Sequence, residues 1–256
     1  MNTASSAIAL IPARGGSKRL VGKNVRPFFG HPMLAYVVSA ALNTELFAKV
    51  IVSSDDPEVG RIAEWYGAQF LLRPAELSTD TACLVDVARH VLGVLTSRGD
   101  VVDTLCQCMP NCPLIRSSDI LEHWRWFHEG HRCFQISVVS YRGVYPQWAM
   151  VEEEQHLGRW LFGKENLVRS QDLSKTFCPT GAIWWTRTRE FLAQNAFYGS
   201  PFHLAPMDSN RGIDIDDAED LELAELLVRG LQQRDGKSPL EPIRCGVSMD
   251  AGGSFV

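Results

Sequence analysis

The stretch Ile8–Asn24, IALIPARGGSKRLVGKN, supplies the first strand and the first loop of the chain. The apolar run at 7–11 is typical of a buried strand, and Pro12 ends that strand before a glycine-containing loop rich in cations. Glycines let backbone N–H groups approach a ligand, and cations neutralise its charge, so the loop predicts a polyphosphate site, with a solvated surface loop as the alternative. Neither GxxxxGK(S/T) nor GxGxxG can be drawn through it. The cations of the loop are Arg14, Lys18, Arg19 and Lys23.

Apolar strand-like runs alternate with amphipathic helical stretches along most of the chain. This alternation predicts an α/β fold with a mostly parallel sheet and helices on both faces, where ligands bind beyond the carboxyl ends of the strands. Arg14, Asp55 and Asn111 all fall at such ends. The predicted strands cover 7–11, 49–53, 69–72, 104–109, 133–139 and 203–207. The predicted helices cover 32–42, 58–66, 83–96, 118–128 and 218–231.

The alternation breaks in a tryptophan-rich segment that we interpret as an antiparallel arm with strands at 147–151 and 181–185. Its tryptophans could form a sugar-stacking surface, but packing in the core or at a subunit interface is the favoured interpretation. They are Trp148, Trp160, Trp184 and Trp185. After Gln232 the composition shifts to Gly, Ser and Pro, which predicts a flexible tail without a catalytic role. The predicted division is an α/β core at 1–139 and 188–231, an arm at 140–187 and a tail at 232–256.

Composition narrows the function classes. With 256 residues and 45% hydrophobic content the chain can bury a sizeable core, and its net charge of −5 argues against a general nucleic-acid binder. No apolar run is long enough to span a bilayer, and the N-terminus lacks the pattern of a signal peptide. Seven cysteines, an odd number, favour the cytoplasm. Cys106, Cys108 and Cys112 could bind a metal, but without a CxxC pair buried thiols are the favoured interpretation.

A second informative stretch is Gly212–Leu221, GIDIDDAEDL. In an extended strand Asp214 and Asp216 project from one face while the isoleucines beside them enter the core. Two converging carboxylates suit Mg²⁺, whereas acidic residues that merely begin a helix are the alternative, which we accept for Asp217 as an N-cap. Together with the polyphosphate loop, the pair predicts nucleotidyl transfer.

Six ordered blocks carry a family resemblance between Ile8 and Leu231. The chain resembles the acylneuraminate cytidylyltransferases, which make CMP-sialic acid and its nonulosonic acid relatives. The blocks are IPARGGSKRLVGKN, VIVSSDDPEVGRIAEWYGA, RPAELSTDTA, PNCPLIRSSDI, RSQDL with PTGAIWW, and GIDIDDAEDL.

The resemblance implies a Rossmann-like α/β core that joins CTP to a nine-carbon α-keto acid sugar and releases pyrophosphate. Arg14, Ser17, Lys23 and Asn24 would then hold the triphosphate, with Lys23 stabilising the charge of the leaving pyrophosphate. Arg73 and the backbone near Ala82 would line the cytidine pocket, Asp214 and Asp216 would bind Mg²⁺, and Arg169 and Gln171 would approach the sugar. The catalytic set would be Arg14, Lys23, Asp214 and Asp216. Family members are commonly dimers whose arm reaches the neighbouring site, so a homodimer is implied.

The chain departs from the family at the sugar. Met109 stands where a sugar-contacting glutamine is expected, with Gln107 on the same strand face as a substitute, and Thr180–Gly181 replaces Asn–Gly. A thioether forms weaker hydrogen bonds than an amide, so a legionaminate, pseudaminate or other modified sugar is at least as well supported as N-acetylneuraminate. The alternatives are a catalytically idle relative that binds a nucleotide or a partner and, less favoured, a 3-deoxy-manno-octulosonate cytidylyltransferase.

Overall fold

The protein is described by a computed structural model that covers residues 6–79, 81–141, 143–164 and 167–243. Strands and helices alternate as the sequence pattern predicts. The strands are β1 (Ala7–Pro12), β2 (Pro27–Phe28), β3 (His31–Pro32), β4 (Lys49–Ser54), β5 (Gln69–Leu72), β6 (Thr104–Gln107), β7 (Phe134–Ser140), β8 (Met150–Glu152), β9 (Gly158–Trp160), β10 (Phe177–Arg187) and β11 (His203–Pro206). The helices are α1 (Met33–Asn43), α2 (Pro57–Trp65), α3 (Leu84–Ser97), α4 (Ser117–Glu129), α5 (Thr188–Gln194) and α6 (Ala218–Asp235).

One seven-stranded sheet forms the centre of the fold, in the order β11-β7-β10-β6-β1-β4-β5. All neighbouring strands pair in parallel except β10, which is antiparallel to both β6 and β7. The pairs β2–β3 and β8–β9 form small antiparallel sheets of their own. The predicted mostly parallel sheet is therefore confirmed.

Alternating side chains of β1 explain why helices cover both faces of the sheet. Ile8 and Leu10 pack with residues of α3 and α5 on one face, whereas Ala9 and Ile11 pack with α1, α2 and α4 on the other. Successive residues of a strand point to opposite faces, so a strand that is apolar at every position must be covered twice. The continuous run at 7–11 thus decides the layer arrangement. None of the described helices combines the length and the apolar composition that crossing a membrane requires.

The predicted boundary of the arm at 187 is wrong, because β10 belongs to the main sheet. Ala182, Ile183 and Trp185 are fully buried, so this strand needs cover on both faces, which a surface arm cannot give. Trp185 stacks on Phe47 with ring centroids 5.6 Å apart. Trp184 contacts Phe197 at 5.6 Å. Core packing is therefore confirmed for these two tryptophans.

The remaining arm comprises the described residues between 141 and 176. The strand expected at 147–151 begins later, because 146–148 form a single 3₁₀ turn before β8. Trp148 and Trp160 lie here and are half-buried. The arm therefore contributes only the short β8–β9 hairpin to the regular structure of the described chain.

The three clustered cysteines are buried thiols, as the sequence favoured. Cys106, Cys108 and Cys112 have no exposed surface, and burial raises the pKa values of Cys106 and Cys112 well above the usual range. Protonated thiols are poor metal ligands. Among the described residues, no three His, Cys, Asp or Glu side chains are arranged to hold a metal ion.

The prediction of a loose tail after Gln232 is wrong for 232–243. Helix α6 continues to Asp235 and ends at Gly236, whose φ of 69° suits a glycine. The Arg116 guanidinium then donates to the carbonyls of Ser238, Pro239 and Leu240 at 2.9, 2.8 and 3.3 Å. The Glu241 carboxylate accepts from the Ser117 N–H at 3.1 Å and from Asn43 at 2.8 Å. The carbonyls at 238–240 and the Glu241 carboxylate thus anchor this stretch to the rest of the chain. Residues 244–256 lie outside the described residues.

Replacing Arg116 tests this anchoring. The variant Arg116→Ala removes three charge-assisted hydrogen bonds to the tail, so we expect the free energy of unfolding to fall by roughly 1–3 kcal/mol. Urea unfolding measures the loss, and tryptic cleavage after Lys237 should become faster. The matched control is Arg125→Ala, an exposed arginine on helix α4, which Arg116 precedes, and it should leave both unchanged. Equal behaviour of the two variants would contradict the anchoring.

Candidate functional site

A cavity of about 320 Å³ opens where β1, β5 and β6 end. Its walls come from the loop after β1, the connection from β5 to α3, the turn after β6 and the segment that precedes α6. Nine of the twelve site residues predicted from the sequence line it. They are Arg14, Ser17, Lys23, Asn24, Arg73, Ala82, Met109, Asp214 and Asp216.

The loop after β1 is held in place from two sides. The Gly15 N–H donates to the Asp55 carboxylate at 3.0 Å, and a Cβ added to Gly15 would lie 2.8 Å from Cβ of Asp56. On the other side, the buried Asn24 amide donates to the Arg14 carbonyl at 2.8 Å. Gly15 is therefore required for close backbone approach, and Asn24 fixes the loop from beneath.

The two predicted metal carboxylates do converge on the cavity. The residues from 213 to 216 belong to no strand or helix, which differs from the predicted strand. Ile215 between the carboxylates is fully buried, and its N–H donates to the Asn111 carbonyl at 2.9 Å. The alternation of apolar and acidic residues holds because a buried isoleucine, rather than a strand ladder, fixes the orientation.

Asn111 and two cations contact this pair. The Asn111 side-chain amide donates to Oδ1 of Asp214 and, at 3.2 Å, to Oδ1 of Asp216. Lys23 Nζ lies 2.8 Å from Oδ1 of Asp216, and Arg19 Nη2 lies 2.5 Å from Oδ2. The phosphate-type loop and the carboxylates thus form one charged site.

The two carboxylates differ in acidity. Asp214 has access to solvent in the cavity, yet the protein atoms around it desolvate the carboxylate and, together with the nearby Asp216 charge, raise its pKa to about 6. Burial also acts to raise the pKa of Asp216, but hydrogen bonds and charges from Lys23 and Arg19 outweigh it and leave that pKa below its usual range. Two like charges this close favour a bound cation. Carboxylate and amide oxygens are ligands that fit Mg²⁺.

Arg73 lies at the far end of the cavity and is almost fully buried. Its guanidinium donates to the Ser53 carbonyl at 2.6 Å and to the Leu77 carbonyl at 3.3 Å, and burial lowers its pKa. Arg14 reaches the same region, since its Nη1 lies 3.3 Å from the Thr79 carbonyl. Arg73 therefore shapes the loop between β5 and α3 as well as lining the cavity.

Met109 closes the cavity on the side of β10. Its N–H donates to the Gly181 carbonyl at 3.2 Å. A Cβ added to Gly181 would lie 2.7 Å from Cγ of Met109 and 3.7 Å from Oδ2 of Asp214. Gln107 is fully buried, with its amide 3.9 Å from the Met109 sulfur. The structure thus places Gln107 beneath Met109 and outside the cavity wall.

Arg169 and Gln171 lie on the arm, where both are exposed, and neither lines the main cavity. Their neighbours Ser170 and Leu173 instead line a smaller cavity of about 200 Å³ at the base of the arm. Within one chain the structure therefore separates these two residues from the nucleotide-type site.

Two residues of the site were missed as site residues by the sequence analysis. Asn111 had been placed at a strand end, and Arg19 had been counted among the loop cations, but neither was assigned a role. The Pro-Asn-Cys-Pro turn directly after a buried strand was the available signal for Asn111, because a buried amide there must find hydrogen-bond partners. No local signal points from Arg19 to Asp216, which lies 197 positions away.

Comparison with known proteins identifies the family. Residues 8–139 match the family model described as cytidylyltransferase. An N-acylneuraminate cytidylyltransferase of Escherichia coli is 34% identical over 85% of this chain and 51% of its own length, so the chain spans about half of that relative. A pseudaminic acid cytidylyltransferase of Campylobacter jejuni is 30% identical over 87% of this chain and 96% of its own length.

A solved structure shares the fold. It is titled a CMP:2-keto-3-deoxy-manno-octonic acid synthetase complexed with CTP, and it matches with a TM-score of 0.64 and 18% identity over 88% of this chain and 98% of its own. At that identity the likeness supports the architecture, a Rossmann-like α/β core, rather than the substrate.

The close approach of β10 to Met109 can be tested on stability. In Gly181→Ala the new methyl group would overlap Met109, so we expect a loss of roughly 1–3 kcal/mol in the free energy of unfolding, measured in urea. The matched control is Gly93→Ala in α3, where an added Cβ meets nothing within 4 Å. That change should leave stability equal or raise it, since alanine favours a helix. A Gly181→Ala protein as stable as the parent would contradict the packing described.

Proposed function

Because the chain belongs to the acylneuraminate cytidylyltransferase family, we propose that it joins CTP to a nonulosonic acid, giving a CMP-sugar and pyrophosphate. The observation that carries this proposal is the single cavity where a cationic glycine loop faces a carboxylate pair, with Lys23 only 2.8 Å from Asp216. A nucleotidyltransferase needs both parts: donors for the triphosphate and a site for the cation that accompanies it.

In the proposed complex the triphosphate lies along the loop after β1. Arg14, Ser17, Lys23 and Asn24 would hold it, and support comes from the way Asn24 and Asp55 fix the loop backbone. Cytidine would lie toward Arg73 and the backbone at Ala82. The connection from β5 to α3 is hydrogen-bonded there, since the Ala82 N–H donates to the Thr79 carbonyl at 3.2 Å.

Asp214 and Asp216 would hold the divalent cation, for which we propose Mg²⁺. The fit rests on their oxygen donors and their convergence on one cavity, together with the pKa of Asp214, which burial and the nearby Asp216 charge raise to about 6. When bound, the cation would neutralise phosphate charge and orient the triphosphate. Asn111 would keep the two carboxylates in position through its contacts with both.

The reaction needs positioning and charge more than a covalent nucleophile. The anomeric hydroxyl of the sugar forms a bond to the α-phosphorus, and the bond from that phosphorus to the bridging oxygen breaks. Pyrophosphate leaves with that oxygen, and the hydroxyl proton passes to solvent. Lys23 would stabilise the developing negative charge, and the 15% exposure of its side chain supports this role because its charge is weakly screened.

The sugar would bind between Met109 and the arm. Met109 offers a thioether where an amide would recognise a hydroxyl or acetamido group, which favours a sugar with an apolar substituent at that point. Arg169 and Gln171 would meet its carboxylate and neighbouring groups. Since neither residue reaches the cavity within one chain, we propose that they act on the site of a second copy, in a homodimer.

Exposed apolar side chains on the arm support the dimer. Seven large ones lie within its described residues, a concentration that favours a protein interface. They are Val144, Met150, Leu157, Leu161, Phe162, Leu167 and Val168. We also propose a cytoplasmic location, which is supported by the unpaired state of all six cysteines within the described residues.

A catalytically idle relative is the second candidate, and Met109 is the observation that favours it. The intact set of Arg14, Lys23, Asp214 and Asp216 around one cavity favours the enzyme. A 3-deoxy-manno-octulosonate substrate is less favoured, because the solved structure of that type shares only 18% identity.

The metal pair gives the central prediction. In Asp216→Asn the site loses one of its two carboxylate charges, so we expect kcat/KM to fall by about 100-fold or more while the circular dichroism spectrum stays unchanged. The assay is pyrophosphate release with CTP, Mg²⁺ and a panel of sugars that includes N-acetylneuraminate, pseudaminate, legionaminate and 3-deoxy-manno-octulosonate.

The matched control is Asp235→Asn, an exposed carboxylate near the end of α6, which should leave turnover within about twofold of the parent. Near-normal activity of Asp216→Asn would remove Asp216 from the metal site. Folded parent protein that releases no pyrophosphate with any sugar would exclude the enzyme and favour the idle relative.

The arm gives a prediction on assembly. In Leu161→Glu a charge replaces an exposed apolar side chain of the proposed interface, so we expect the protein to shift from dimer to monomer and to lose sugar turnover. Light scattering after gel filtration measures the mass. Leu226→Glu, which changes a leucine of α6 that is 61% exposed against 48% for Leu161, is the control and should remain dimeric. A monomeric parent, or disruption by the control alone, would contradict an interface on the arm.

A further inference from the structure

Asp216 has little unsatisfied hydrogen-bonding capacity in the nucleotide-free protein. Its Oδ1 accepts from Lys23 at 2.8 Å and from Asn111 at 3.2 Å, and its Oδ2 accepts from Arg19 at 2.5 Å. Asp214 Oδ1 accepts from Asn111 as well. A divalent cation that binds this pair must therefore displace or share positions that two side-chain cations already hold.

The two cations are held differently. The Lys23 side chain is 15% exposed and belongs to a short 3₁₀ turn whose next residue is the buried Asn24. The Arg19 side chain is 66% exposed and extends from the glycine-containing loop across to the segment that precedes α6. An exposed ion pair is weak and exchanges readily, whereas a partly buried lysine does not. Arg19 is consequently the cation that can leave.

A triphosphate in this cavity would offer Arg19 a stronger partner. A guanidinium binds phosphate oxygens through two parallel hydrogen bonds, and a triphosphate carries several negative charges against the single charge of Asp216. Arg19 and Asp216 both line the cavity in which the triphosphate would lie, and so does Ser17 of the loop after β1. The move requires a change of side-chain direction and no change of fold.

We propose that Arg19 is a positioning residue that occupies Asp216 in the free protein and moves to the triphosphate when CTP binds, so that the carboxylate pair accepts a divalent cation only together with the nucleotide. The inference rests on the proposed function, because it takes Asp214 and Asp216 as the cation-binding pair. The consequence is an order of binding. The charge of Arg19 opposes cation binding before CTP arrives and stabilises the triphosphate afterwards. By linkage, CTP raises cation affinity to the same extent as the cation raises CTP affinity.

The test measures cation binding without nucleotide. Titration of the free protein with Mn²⁺, followed by the loss of the free-ion electron paramagnetic resonance signal, should show weak binding in the parent and about tenfold tighter binding in Arg19→Gln. The matched control is Arg159→Gln, which removes an arginine paired with Glu153 at 2.7 Å on the arm. It lowers the net charge equally and should bind Mn²⁺ like the parent.

A double variant locates the gain. Arg19→Gln combined with Asp216→Asn should return Mn²⁺ binding to the parental level. The Asp216 carboxylate, which Arg19→Gln makes available to the cation, is absent from the double variant. The inference is overturned if Arg19→Gln binds Mn²⁺ no more tightly than the Arg159→Gln control, or if the double variant keeps the gain. Binding measured without CTP or sugar separates this result from the activity assay. Active protein without the Arg19 effect contradicts only this inference, and protein inactive with every sugar contradicts the proposed function.

Discussion

The reciprocal hydrogen bonds between Asn111 and Ile215 hold the functional site together. The Ile215 N–H donates to the Asn111 carbonyl at 2.9 Å, and the Asn111 side-chain amide donates back to the Ile215 carbonyl at 3.1 Å. The acidic segment belongs to no sheet, so these bonds replace a strand ladder at the end of β6. Because Ile215 is fully buried, the carboxylates on either side of it must face the cavity. Asn111 thereby forms one site with Asp214 and Asp216, which lie 103 and 105 positions later in the chain.

The antiparallel strand β10 connects the arm with the wall of the cavity. It enters the sheet between β6 and β7, and it places the backbone of Gly181 against Met109. The strand begins at Phe177, directly after the arm. The reversed strand therefore links two parts of the structure. It fixes the exposed arm to the wall of the cavity next to the carboxylates.

Local patterns predicted the core and the nucleotide side of the site. Continuous apolar runs gave the parallel strands, and the alternation in IDID gave the convergence of Asp214 and Asp216, since both follow from side-chain period alone. Pairings between distant segments left no such trace. The contact of Arg19 with Asp216 and the anchoring of the chain near Leu240 by Arg116 each depend on which helices and loops become neighbours. The place of β10 was also missed, because an apolar strand looks alike in an arm and in the centre of a sheet.

The two ends of the cavity differ in how many of the polar groups needed there one chain supplies. At the end lined by the loop after β1 and by Arg73, fixed polar groups meet one another: Arg73 is bonded to the β4 backbone, Asn24 to the loop, and Lys23 to Asp216. Such groups are already oriented before a ligand arrives, which lowers the cost of binding a common substrate. At the opposite end Met109 presents a thioether beside Asn111 and Asp214. Discrimination between sugars requires hydrogen bonds to specific hydroxyl or amide groups, and under the proposed dimer Arg169 and Gln171 of the second copy would supply some of them. Under the proposed dimer, choice of nucleotide is therefore a property of the fold, whereas choice of sugar is a property of the assembly.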